Sequence, residues 1–167
     1  MMSDAPQQIV TFRVADALFA ADVRVVERVL RYVSPAPVPN AAPWIAGVID
    51  HQQRVLPVVS MRARLGLAEI PPLPTARILV LSLDEPPGSQ AASEWIGAAV
   101  DAVLDVVTVQ PADLAPPPPI FRGLAAGYLR SIVRRPEGLV MLLDTRALLT
   151  APERLELRDV AEATSGV

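Results

Sequence analysis

Residues 55–65 read VLPVVSMRARL, and residues 139–149 read LVMLLDTRALL. Arg62 and Arg146, Ala63 and Ala147, and Leu65 and Leu149 are identical at one constant offset, and aliphatic positions exchange for one another between them. Upstream, Ala46-Gly47 and Ala126-Gly127 are separated by slightly less than that offset, which predicts a slightly longer hairpin in the second copy. The first halves match as well: IVTFRV at 9–14 resembles ILVLSL at 78–83, and AADVRVVERV at 20–29 resembles GAAVDAVLDV at 97–106. Solenoid repeats run to roughly 20–50 residues. This longer period predicts two similar β-units, each compact, with the function on or between them.

Composition sets outer limits. The 167 residues suit one domain, or two small subdomains sharing a core. Hydrophobic residues make up 51%, ample for that core, yet no uninterrupted apolar stretch of about 20 residues occurs. The charge-free stretch 33–49 is broken by Pro35, Pro37, Pro39 and Pro43, and proline at that density cannot sustain a membrane helix. Residues 1–8 have neither the basic start nor the apolar centre of a secretory leader. The absence of cysteine excludes a disulfide framework. Fifteen basic against eighteen acidic residues leave a net charge of −3, which argues against a nucleic-acid partner.

Periodicity predicts mostly strands. Residues 9–14, 78–83, 100–109 and 139–143 alternate or run apolar with β-branched residues. Ser60 before MRARLGL reads as an N-cap with Gly66 as the stop, and Asp144 before TRALL repeats the arrangement. Pro57 falls inside a strand, which predicts an edge or a bulge there, and with it a sheet edge open for pairing. The proline-rich segments 33–43 and 111–119 occupy the same place in each copy and read as stiff crossovers, with polyproline II over Pro116–Pro119. Residues 85–93 read as an exposed loop. The tail after Pro152 reads as a charged helix adding little core.

Catalytic constellations are nearly absent from the sequence. His51 is the only histidine, no nucleophile elbow or phosphate-cradling glycine loop occurs, and no metal or organic cofactor is expected. Asp101 and Asp105 form the best carboxylate pair, since on one strand they would share a face. Flanked by VDAVLDVV, they read better as the wet side of a half-buried strand.

The series VTFRVADALFAADVRVVERVL, VPNAAPWIAGVI, VLPVVSMRARLGL, WIGAAVDAVLDVVTVQPADLAPPPP and LVMLLDTRALL resembles, in this order, the CheW family of chemotaxis coupling proteins. The resemblance implies a mainly β fold of two tandem SH3-like β-barrels related by the internal repeat, with a few short helices. It implies one CheW-like domain over residues 8–150, with barrel units at about 8–70 and 76–150 and exchange of elements between them left open, followed by a tail at 151–167. It further implies a non-catalytic adaptor, cytoplasmic and placed at membrane-associated receptor arrays. Its partners would be the cytoplasmic tip of a chemoreceptor, the regulatory domain of a CheA-type histidine kinase and other CheW-like domains, without membrane insertion.

The receptor-binding residues carried over by the resemblance are Val26, Arg28, Ile49, Gln52, Arg54, Val100 and Val103, with Val26, Ile49, Val100 and Val103 lining a groove between the barrels. The kinase-binding residues are not specified. Two departures stand out. Where the family has Asn-Leu-Arg-Gly, this chain has Asp50, His51, Gln52 and Gln53, and Arg28 replaces a residue that is usually acidic. Gln53 in place of a turn glycine implies strain or a differently built turn, and Arg54 is placed to supply the guanidinium missing at Gln52. Two other readings stand beside the adaptor: a CheW-like protein that binds only one partner, and a small β-barrel module holding a small ligand.

Overall fold

The computed structural model describes residues 5–83, 94–117, 127–150, 152–153 and 156–160. Eleven strands are present among them: β1 (Gln7–Val14), β2 (Ala17–Asp22), β3 (Val26–Arg31), β4 (Ile45–His51), β5 (Arg54–Ser60), β6 (Arg77–Ser82), β7 (Trp95–Val100), β8 (Ala102–Val109), β9 (Leu114–Ala115), β10 (Leu129–Arg135) and β11 (Gly138–Leu143). They form a six-stranded sheet in the order β8-β1-β2-β11-β10-β9 and a five-stranded sheet in the order β3-β6-β7-β5-β4.

The strand order corrects the expectation of two separately compact units. The first hairpin of each copy, β1-β2 and β6-β7, sits in the sheet built by the rest of the other copy. Periodicity in β6 gives the reason. Ile78 and Val80 point into the interior of the five-stranded sheet, while Leu79 and Leu81 point into a core shared by both sheets. All four are at most 2% exposed. A hairpin apolar on both faces needs two cores, and fully burying each such side chain contributes about 1.5–3 kcal/mol. The described residues accordingly form three: one inside the five-stranded sheet, one inside the six-stranded sheet around Ile9, Val133 and Leu142, and the seam between them.

Register corrects the repeat alignment. Ile45 pairs with Val59 and Gly47 with Val58 across a bulge; Leu129 pairs with Leu143 and Ser131 with Leu142 across another. Ser131, not Gly127, is therefore the counterpart of Gly47, at the same offset that relates Arg62 to Arg146, and the two hairpins are equally long. Ala126 lies outside the described residues, as do residues 85–93 of the expected loop and Pro118 and Pro119 of the polyproline segment.

Pro57 proves to lie on an inner strand, β5 being flanked by β7 and β4. It faces Val48, whose N–H and C=O are spent on Ala36 at 3.0 and 2.9 Å, so this pair exchanges no ladder bonds. On the other side the β7 ladder starts one residue later, at Val58. The missing N–H thus costs nothing, and no edge opens there. The run 100–109 is also two strands rather than one, because the chain turns at Asp101 to pass from one sheet to the other.

Both N-caps form. Ser60 Oγ accepts from Ala63 N at 3.2 Å ahead of α1 (Met61–Arg64), which Gly66 ends at φ 76°. Asp144 caps Thr145–Leu148 through Arg146 N at 3.1 Å, but that segment is a 3-10 turn, not an α-helix. Residues 156–160 are helical. The tail adds more core than its charges indicated, since Leu157 is 2% exposed within the seam.

Candidate functional site

The structure brings three of the four expected groove residues to the seam. Val26 on β3 and Val103 on β8 are counterparts in the repeat, and both are half-buried against the seam core, of which Val100 is a buried member. Ile49 is not with them. It belongs to the interior of the five-stranded sheet, on the other side of β5 and β7, because strand alternation sends Val58 inward and Val59 to the seam.

The strands carrying the two valines are edges. Among the described residues β3 pairs only with β6, and β8 only with β1. Glu27 is skipped between Val26↔Leu81 and Arg28↔Val80, which leaves Arg28 exposed. Val29 is 46% exposed, its counterpart Val106 57%, and Leu104 42%. Sequence reasoning did not single out these three aliphatics. The signal was there, because VVERVL and AVLDVV lack strict alternation and so leave apolar residues on the outer face.

The β4-β5 turn is built on two left-handed residues, Gln52 at φ 52° and Gln53 at φ 64°, the pattern of a type I′ hairpin. Both side chains are exposed. Arg54 lies over the Trp95 ring, its guanidinium carbon 4.3 Å from the centroid. His51 stacks at a tilt on the same indole at 6.3 Å.

The remaining charges tie elements together. Asp101 receives Arg62 Nη2 at 2.6 Å and Ala15 N at 2.7 Å, while its carbonyl accepts from Thr75 Oγ1. It therefore makes no carboxylate pair with Asp105, which is exposed and bonds through its backbone to Thr11 Oγ1. Arg64, 7% exposed, donates to the Leu148 carbonyl at 2.9 Å and makes a bidentate pair with Glu153 at 2.7 Å; its guanidinium also lies over Trp44 and Tyr128. Burial alone would raise the Glu153 carboxyl, but hydrogen bonds from Arg64 and Thr150 N, with the Arg64 charge, outweigh it and hold the group below the usual range. Asp22 is likewise pushed up by burial and brought lower overall by Arg24 and Gln7. Among the described residues no group of three His, Cys, Asp or Glu side chains could hold a metal ion, and no helix is long and apolar enough to cross a membrane.

Two sheets that exchange hairpins and pack on a common core define a scaffold of tandem SH3-like barrels. Its likeness to the scaffolding protein TtCheW from Thermoanaerobacter tengcongensis has a TM-score of 0.76 at 23% identity, covering 88% of this chain and 94% of that one. The CheW-like domain family matches residues 8–153, and the chain belongs to that family. It is 27% identical over 153 residues to a chemotaxis protein CheW of Rhizobium meliloti, covering 92% of this chain and 94% of the relative. It is 30% identical over 155 residues to the protein FrzA of Myxococcus xanthus, with 91% of each covered.

Proposed function

We propose that this chain is a non-catalytic adaptor that couples the cytoplasmic tip of a chemoreceptor to the regulatory domain of a CheA-type histidine kinase, in a chemotaxis or related chemosensory array. The observation that carries this reading is the pair of repeat-related valines, Val26 and Val103, half-buried at the seam on edge strands with exposed aliphatics beside them. Apolar groups at a half-covered seam suit the apolar stripe of a receptor helix, and unpaired strand edges suit kinase and CheW-like barrels. Val100 backs this surface from beneath, Arg28 lies exposed beside Val29, and Gln52 and Arg54 offer polar groups on the β4-β5 turn. The site of action is the cytoplasm, at receptor arrays.

Val103→Glu tests the reading, because a charge forced into a desolvated interface costs several kcal/mol of binding. The expected result is a folding midpoint near that of the unaltered protein with receptor binding lost and kinase binding kept, each scored in its own pull-down. Loss of the midpoint together with both partners makes Val103 a core residue and sinks the interface. A second reading, a protein that binds the kinase but no receptor, is favoured by the stacking of Arg54 on Trp95. It predicts that the unaltered protein retains the kinase domain alone.

A further inference from the structure

A cavity of about 690 Å³ opens at one end of the six-stranded barrel, among Gln8, Asp22, Val109, Leu114, Arg130 and Ser131. The repeat explains why this barrel has one. Val109 stands where the other copy has Tyr32, at the offset that relates Val103 to Val26, and Tyr32 packs on the interior of the five-stranded barrel. An isopropyl group thus takes the place of a phenol, and the end that tyrosine helps to fill in one barrel stays open in the other. The rim has changed in the same direction. At the positions of Ala46, Gly47 and Ala99 in the five-stranded barrel, the six-stranded one carries Arg130, Ser131 and Asp22. Among the described residues one end is plugged and apolar, and its counterpart is open and polar-rimmed.

The charges select a ligand. Asp22 is already satisfied: Oδ1 accepts Arg24 N and Nε at 2.9 and 3.1 Å, and Oδ2 accepts Arg24 Nη2 and Gln7 Nε2 at 2.7 and 3.0 Å. It has little left to offer a cation. Arg130 is exposed and, like the hydroxyl of Ser131 beside it, has no side-chain partner among the described residues. The accessible apolar wall comes from Leu114, Ala115 and Pro116, with Val109 and Leu142 buried behind it. Small-molecule sites are typically concavities of about 300–1,000 Å³ with an apolar body and a few convergent polar groups, a description this cavity meets. We propose that it binds a small amphipathic carboxylate, the hydrocarbon against Leu114, Ala115 and Pro116 and the carboxylate on Arg130 and Ser131. Such a site is separate from the seam, and a ligand there would act on the edge that ends in β9.

Octanoate titrated into the isotopically labelled full chain tests the proposal by NMR. Saturable shifts are expected at the amides of Gln8, Leu114 and Ser131. The neutral isostere 1-octanol should bind about tenfold more weakly, since it forfeits a charge-assisted hydrogen bond, and octylammonium should not bind. Arg130→Ala should lower octanoate affinity about tenfold and leave octanol unchanged. Val109→Tyr restores the plug of the other barrel and should abolish binding. Because position 109 is wholly buried, Leu114→Trp at the rim serves as a second block if the tyrosine does not fold. No saturable response of the unaltered chain, shifts at the seam instead of this end, or unchanged affinity in a folded blocked variant each overturns the proposal.

Discussion

Gln52 and Gln53 hold a backbone conformation that asparagine and glycine adopt far more readily. A left-handed conformation costs an L-residue roughly 1–2 kcal/mol, and glycine avoids that cost while surrendering about 0.5–1 kcal/mol of chain entropy. Gln53→Gly should therefore stabilise the protein by about 0.5–1 kcal/mol, read as a raised midpoint in urea with Trp95 fluorescence unchanged; a lowered midpoint would refute this account of the turn. The departure from the family turn was legible in the sequence, but which residues carry the positive φ was not. Glu153 offers a second measurement at this scale. Its carboxyl is depressed in the folded state, so its contribution is fully present above the ordinary value of 4.5 and is lost as pH falls through the lower folded value. Glu153→Gln leaves the buried Arg64 without its counter-charge and should cost about 1–3 kcal/mol at neutral pH. In denaturation curves at stepped pH that deficit should shrink below about pH 4.5, while a gap independent of pH would mean that the ion pair contributes nothing.

Gly47 shows why an element's register outweighs a residue's neighbours in sequence. It sits at φ 143° beneath the bridge between Ala36 and Val48, and a Cβ there would lie 2.3 Å from the Ala36 carbonyl oxygen. Gly47→Ala must lift the crossing segment from β4, breaking two backbone hydrogen bonds of 2.9 and 3.0 Å. The expected loss is at least about 2 kcal/mol, with faster amide exchange at Val48; a variant as stable and as protected as the parent would contradict the crossing. In the sequence this glycine reads as half of a repeated Ala-Gly pair. Only pairing across the bulge shows that its counterpart is Ser131, which needs no such freedom. Pro57 teaches the same lesson, since a proline inside an apolar run points to an edge until the strand opposite is seen to have spent its donors elsewhere.

The hairpin exchange makes the whole chain the folding unit. β1 and β2 are held by β8 and β11, and β6 and β7 by β3 and β5, so neither half contains a closed sheet. Cutting within the connector at residues 70–74 should yield two fragments that are each disordered by circular dichroism and NMR. Mixed, they should regain the dispersed spectrum of the intact protein. A first fragment that folds alone would show the exchange to be dispensable. The class of structure was already written in local pattern: the repeat, the predominance of strands, the two cap positions and the family resemblance can all be read along the chain, because strand period, capping and turn chemistry act over a few residues. Three further features emerge only in the folded chain: which copy's hairpin enters which sheet, that Ile49 faces away from the seam, and that Val109 leaves a cavity at the end Tyr32 fills in the other barrel. These depend on contacts between residues far apart in the chain, where a run apolar on both faces fits either core equally well and only the pairing of distant strands selects between them.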